Sequence, residues 1–149
     1  MTNPLPIYQS LREWMDVFMH RSMRGWMHFA RSSGLSMPQS SILMQLQHRG
    51  SCGMSVISER FDITAAAASQ LVDKLVQAGY IERDEDPNDR RAKLLRLTES
   101  GETLINQGIE ERHRWMNDLV NHLSEKEKSK VSEALGILTE AAQQFEDKQ

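Results

Sequence analysis

The chain has 149 residues, 39% of them hydrophobic and 26% charged, which is enough for one packed core and too apolar for a disordered segment. No run of about eighteen apolar residues occurs, and Met1 to Ser10 lacks the basic-then-apolar pattern of a secretory signal, so a cytoplasmic protein with no membrane partner is expected. The net charge of −3 speaks against a broadly basic nucleic-acid binder, yet the acidity is concentrated: residues 98–149 hold six Lys/Arg against eleven Asp/Glu, whereas residues 1–50 hold five against two.

From Ile7 to Arg31 the residues Ile7, Leu11, Met15, Phe18, Trp26 and Phe29 recur at intervals near three, four or seven, with Arg12, Glu13, Asp16, Arg21 and Arg24 between them. That pattern predicts a long amphipathic helix. Ser33-Gly34 breaks it. Ser36, with Gln39 three positions on, fits a capping box, and Pro38 is tolerated in the first turn of a second helix through Gln47. Gly50 and Gly53 bracket the next turn, and Cys52 falls in the loop before a short helix from Ser55 to Phe61. Asp62-Ile63-Thr64 reads as a turn whose Thr64 caps a helix running to Ala78. This helix opens on Ala65-Ala66-Ala67-Ala68, carries Leu71, Val72, Leu75 and Val76 for the core, and ends at Gly79.

Beyond Gly79 the period changes. Tyr80 to Arg83 and Ala92 to Leu97 read as two short strands around the turn-forming residues Asp84 to Asp89, a β-hairpin with a long tip. Thr98-Glu99-Ser100-Gly101 leads into a helix bearing Leu104, Ile105, Ile109, Trp115, Met116 and Leu119. Ser124 and Glu127 form a second capping box, opening a last helix with Val131, Leu135, Leu138, Ala142 and Phe145. The expected fold is mainly α with a small β-hairpin (α+β): a winged helix-turn-helix over residues 35–98, framed by long helices in 1–34 and 99–149. A helix of about 10 Å diameter enters a major groove, and a hairpin reaches the adjacent minor groove. Arg90, Arg91, Lys93 and Arg96 put a short basic run on that hairpin.

Ile63-Thr64, Ser69-Gln70-Leu71-Val72-Asp73-Lys74-Leu75, Ala78-Gly79-Tyr80-Ile81-Glu82-Arg83, Asp86-Pro87-Asn88-Asp89-Arg90-Arg91 and Leu97-Thr98-Glu99-Ser100-Gly101 together resemble the MarR-family signature, in register from Ile63 to Gly101. The resemblance implies a homodimer whose terminal helices intertwine, bound to double-stranded DNA at a pseudo-palindromic operator and acting as an effector-responsive repressor. It assigns Thr64 as cap and phosphate contact, Ala65, Ala66 and Ala67 as the groove-facing tip, and Ser69, Gln70 and Lys74 beyond it. On the wing it pairs Asp89 with Arg91, which goes to the minor groove, with Arg90 and Lys93 beside it. The alanines depart from relatives that place polar side chains there, so hydrogen-bonded readout is expected to rest on Ser69 and Gln70.

Met15, Phe18, Met19, Met23, Trp26 and Met27 crowd the first helix, a stripe that serves as dimer or domain core. Similar proteins bind small aromatic or anionic effectors between this helix and the DNA-binding lobe, which makes Met23, Trp26 and Met27 candidate lining residues and Arg24, His28 and Arg31 candidate ligand-orienting ones. Cys52 cannot form an intrachain disulfide and lies away from the first helix, where sensing cysteines of relatives commonly sit. His20, His28, His48, His113 and His122 show no metal-ligand spacing, so neither metal nor cofactor is expected. No phosphate loop, His-Glu-x-x-His, nucleophile motif or supported carboxylate pair is present, so no enzyme is expected. The rival reading is a winged-helix module that binds a protein and no DNA; Asp89, Arg90, Arg91 and Lys93 speak against it.

Overall fold

The structure, a computed structural model, describes residues 5–88 and 93–146. In chain order these form α1 (Leu5–Ser32), α2 (Met37–Arg49), β1 (Cys52–Gly53), α3 (Met54–Arg60), α4 (Ala65–Gln77), β2 (Ile81–Glu85), β3 (Lys93–Leu97), α5 (Glu99–Asn121) and α6 (Glu125–Glu146). The chain divides into two compact units, Met1–His113 and Arg114–Gln149.

The predicted capping signals are realised atom by atom. Ser36 accepts the Gln39 N–H while the Gln39 side chain accepts the Ser36 N–H at 2.9 Å, the reciprocal box that opens α2. Thr64 accepts the Ala67 N–H at 3.1 Å and opens α4. The far end of α4 closes through two bonds, Tyr80 N–H to the Leu75 carbonyl and Gly79 N–H to that of Val76. This closure puts its penultimate donor in the left-handed region, and Gly79, at φ 78°, takes it without a Cβ clash. The same pair of bonds ends α3, with Asp62 at φ 49° in the left-handed position and Ile63 bonding back to Ser58. A short polar side chain tolerates that conformation, so α3 turns sharply into the Thr64 cap.

One element was not expected. Cys52–Gly53, read from sequence as loop, pairs antiparallel with β3, Cys52 opposite Leu95 and Gly53 opposite Leu94, giving a three-stranded sheet of order β1-β3-β2. Two residues are too few to show a period, and their partners lie more than forty positions away.

In the first unit the core is built from one stripe of each helix and one face of the sheet. Trp26 and Phe29 of α1, Ile42, Leu43 and Leu46 of α2, Ile57 of α3, Ala68, Val72 and Leu75 of α4, Ile81, Leu95 and Leu97 of the sheet, and Ile105 of α5 bury together. Fully burying each large aliphatic among them stabilises by roughly 1.5–3 kcal/mol. That exceeds any helix-propensity difference along α4, so packing decides which face of it turns outward. The second unit has no such core: none of its described residues is buried, and Leu119, Val120, Val131, Leu135 and Ile137 are exposed.

Candidate nucleic-acid interface

With Ala68, Val72 and Leu75 inward, α4 turns Ala65, Ala66, Gln70 and Lys74 to solvent. Thr64, exposed at the N-terminus, keeps its hydroxyl proton available while its oxygen caps the helix. Between the two faces lie Ser69 and Asp73. The Ser69 hydroxyl donates to Asp73 Oδ2 at 3.3 Å, and the other oxygen of Asp73 accepts from the Arg83 guanidinium of β2. The pleat explains this reach. Arg83 follows the buried Ile81 by two residues, so its side chain leaves the sheet on the core-facing side and meets α4.

The opposite face of the hairpin carries a carboxylate ladder. Glu82 lies directly across from Arg96 and accepts from it at 2.7 Å, while Asp84 takes the same guanidinium at 2.9 Å. Glu82's hydrogen bond is the main cause that raises the Arg96 pKa above its ordinary value, with the Asp84 charge adding to it. On the face of Arg83, Lys93 lies across from Glu85 at 3.4 Å. Among the described residues of the hairpin, every cation therefore has a carboxylate partner. Asp89, Arg90 and Arg91 lie outside the described residues.

The base of the hairpin is held by Thr98. Its N–H donates to the Tyr80 carbonyl at 3.1 Å, its hydroxyl donates to the Gly79 carbonyl at 2.6 Å, and its oxygen accepts the Gly101 N–H at 3.0 Å. One side chain thus starts α5 and closes the hairpin onto the end of α4. Gly101 is required there, because a Cβ at this position would strike the Tyr80 carbonyl oxygen.

The six candidate effector residues fall in two places that share Met23. Met23 and Trp26 line a cavity of about 200 Å³ with Met19, Ser22, Met37, Ser41, Met44 and Arg112, within the first unit. Ser22 is 1% exposed and its hydroxyl has no hydrogen-bond partner among the described residues. Met23, Arg24, Met27, His28 and Arg31 line an open groove along α1 with His20. Ser22, Ser41 and Arg112 were missed from sequence because they reach the cavity from three different helices. Among the described residues, no group of three His, Cys, Asp or Glu could hold a metal ion, and no helix is long and apolar enough to cross a membrane.

The profile of the MarR family matches residues 35–93, the stretch that spans α2 to the start of β3. The HTH-type transcriptional regulator YfiV of Bacillus subtilis is 32% identical over 107 residues, covering 72% of this chain and 67% of its own. The chain belongs to the MarR family. Like the MarR-family relatives it matches, it is a transcriptional regulator and not an enzyme. The transcriptional regulator Tm0710 of Thermotoga maritima superposes with a TM-score of 0.83 at 26% identity, covering 97% of this MarR-family chain and 99% of its own. A MepR mutant from S. aureus, bound to an oligodeoxyribonucleotide, shares the MarR fold with a TM-score of 0.63 at 22% identity over 91% of this chain and 97% of its own.

Proposed function

We propose that this MarR-family regulator is a cytoplasmic homodimer that represses transcription by inserting α4 of each copy into successive major grooves of a pseudo-palindromic operator. The observation that carries this reading is the outward face of α4, which keeps Thr64, Gln70 and Lys74 at the surface on a helix pinned to the hairpin through Asp73 and Arg83. Thr64 contacts phosphate, Ala65, Ala66 and Ala67 form the groove-facing tip, and Ser69, Gln70 and Lys74 follow. Asp89, Arg90, Arg91 and Lys93 belong to the wing, with Arg91 entering the minor groove. The MepR mutant, which has this fold and is bound to an oligodeoxyribonucleotide, supports DNA binding as the function. Half-site centres then lie about 34 Å apart, one helical turn. Selection of genomic fragments by the purified protein, beside an Arg91→Ala control, tests it: one palindromic site should be enriched and lost in the control. A folded dimer that enriches nothing would shift the reading to a protein-binding winged-helix module.

Dimerisation through residues 1–34 and 99–149 is supported by apolar surface that each element leaves open. On α1, Ile7 is 61% and Tyr8 65% exposed, followed by Leu11, Trp14 and Met15, and α6 exposes Val131 and Leu135. Leu135→Asp should convert the species in light scattering from dimer to monomer. The effector is assigned to the Met-lined cavity, where the orphaned Ser22 hydroxyl and the Arg112 guanidinium suit a small aromatic or anionic ligand. Calorimetric titration with aromatic carboxylates should show binding that Arg112→Ala weakens. An unchanged affinity would move the site to the open groove of Arg24, His28 and Arg31.

A further inference from the structure

We propose that Gln70 reads a single adenine in each operator half-site, one to two base pairs from a thymine selected by the alanine methyls one turn before it. The inference rests on the DNA-binding reading above and adds the base that the helix chooses.

Ala66, Gln70 and Lys74 stand four positions apart and so form one row along the exposed face of α4. The polar groups flanking that row are engaged within the protein. Ser69 donates to Asp73, Asp73 also takes Arg83, and the Thr64 oxygen caps Ala67. Over Ala65 to Lys74, the outward polar side chains without a polar partner among the described residues are Gln70 and Lys74.

These two differ in what they can distinguish. A lysine ammonium has donors only and behaves as a point charge, which suits phosphate. The Gln70 amide carries one acceptor and a donor pair side by side. In the major groove adenine matches that combination, with its N7 acceptor beside its N6 amino donor; guanine offers two acceptors, cytosine a donor, and thymine an acceptor with a methyl group. Ala65 and Ala66 have no polar atom to offer, and their methyls complement the thymine 5-methyl. A helical turn advances about 5.4 Å, against about 3.4 Å per base along the duplex, so the thymine and adenine positions fall one to two base pairs apart.

The test is selection from a random duplex library by the full-length protein and by Gln70→Ala, Gln70→Arg and Lys74→Ala, each first checked for an unchanged circular dichroism spectrum. The wild type should enrich adenine at one position of each half-site. Gln70→Ala should reduce that preference by on the order of tenfold and leave the other positions as they were. Gln70→Arg should replace the adenine by guanine, since a guanidinium matches the two guanine acceptors. Lys74→Ala should weaken binding evenly with the motif unaltered. A motif identical in wild type and Gln70→Ala, or an adenine preference lost with Lys74→Ala, would overturn the assignment of Gln70 while DNA binding stands. Enrichment of no sequence by the wild type would overturn the DNA-binding reading itself.

Discussion

The guanidinium of Arg83 on β2 rests on the carboxylate of Asp73 on α4, so that the hairpin and the helix with the outward polar row are tied by one charged contact. The two side chains are 36% and 45% exposed, and a pair so open to water contributes only about 0.2–1 kcal/mol to folding. Its larger consequence is positional. Arg83→Ala should lower the melting temperature by only a few degrees, yet weaken operator binding by more than tenfold, because α4 loses its charged tie to the hairpin and the Asp73 anion loses its cation on the DNA-facing side. Thermal unfolding and a fluorescence titration on the same samples check this. A loss of affinity no larger than the loss of stability would reduce the contact to an ordinary surface pair.

Arg91→Ala tests the wing reading, which rests on the sequence, since that residue lies outside the described ones. Binding should weaken, and the salt dependence should flatten by about one unit of the log–log slope, the signature of one lost cationic contact to the duplex. An unaltered slope would remove Arg91 from the interface.

Gly101→Ala should destabilise the first unit by about 1–3 kcal/mol, because the added methyl meets backbone, the Tyr80 carbonyl, which cannot swing aside as a side chain would. The denaturant midpoint should fall with an unchanged m-value. A midpoint equal to wild type would show that the α5 start has slack.

Cys52 sits half-buried on β1, and burial pushes its thiol pKa above the ordinary value. The reactive thiolate is therefore scarce at neutral pH. Alkylation by iodoacetamide should be slower than for a free cysteine peptide, and Cys52→Ser should leave DNA binding before and after peroxide the same as wild type. Rapid labelling would revive an oxidation-sensing role.

The cap of α6 carries a pH dependence. The Ser124 hydroxyl and N–H both donate to the Glu127 carboxylate, at 2.6 and 2.9 Å, and hold its pKa below the usual range. A depressed carboxylate stabilises the folded state above its unfolded pKa, and this contribution disappears as the pH falls from there through the lower folded value. Helical circular dichroism of the wild type should thus show an acid-sensitive component that Glu127→Gln lacks. Identical acid profiles would show that the box does not hold α6.

Much of this was legible without coordinates, for a local reason. Capping boxes, the Gly79 closure and the stripe of Ala68, Val72 and Leu75 are set by residues within a turn or two of each other, so spacing alone reveals them. The outward positions of α4 were legible too, as the face opposite that stripe, whereas their proposed DNA contacts came from the family resemblance.

What depended on the tertiary structure was every relation that brings distant segments together. The pairing of β1 with β3, the capture of Asp73 by Arg83, the neutralising of Arg96 by Glu82 and Asp84, and the cavity that gathers Ser22, Ser41 and Arg112 each join elements whose separation in the chain carries no periodic signal. Sequence by itself determined the helices, the hairpin and the family, because hydrogen bonding and burial at short range are written in residue order. Which polar side chains remain available to a partner was decided only when packing had used up the others: from the sequence Ser69 and Gln70 were equivalent readers, and the fold gave Ser69 to Asp73 and left Gln70 outward.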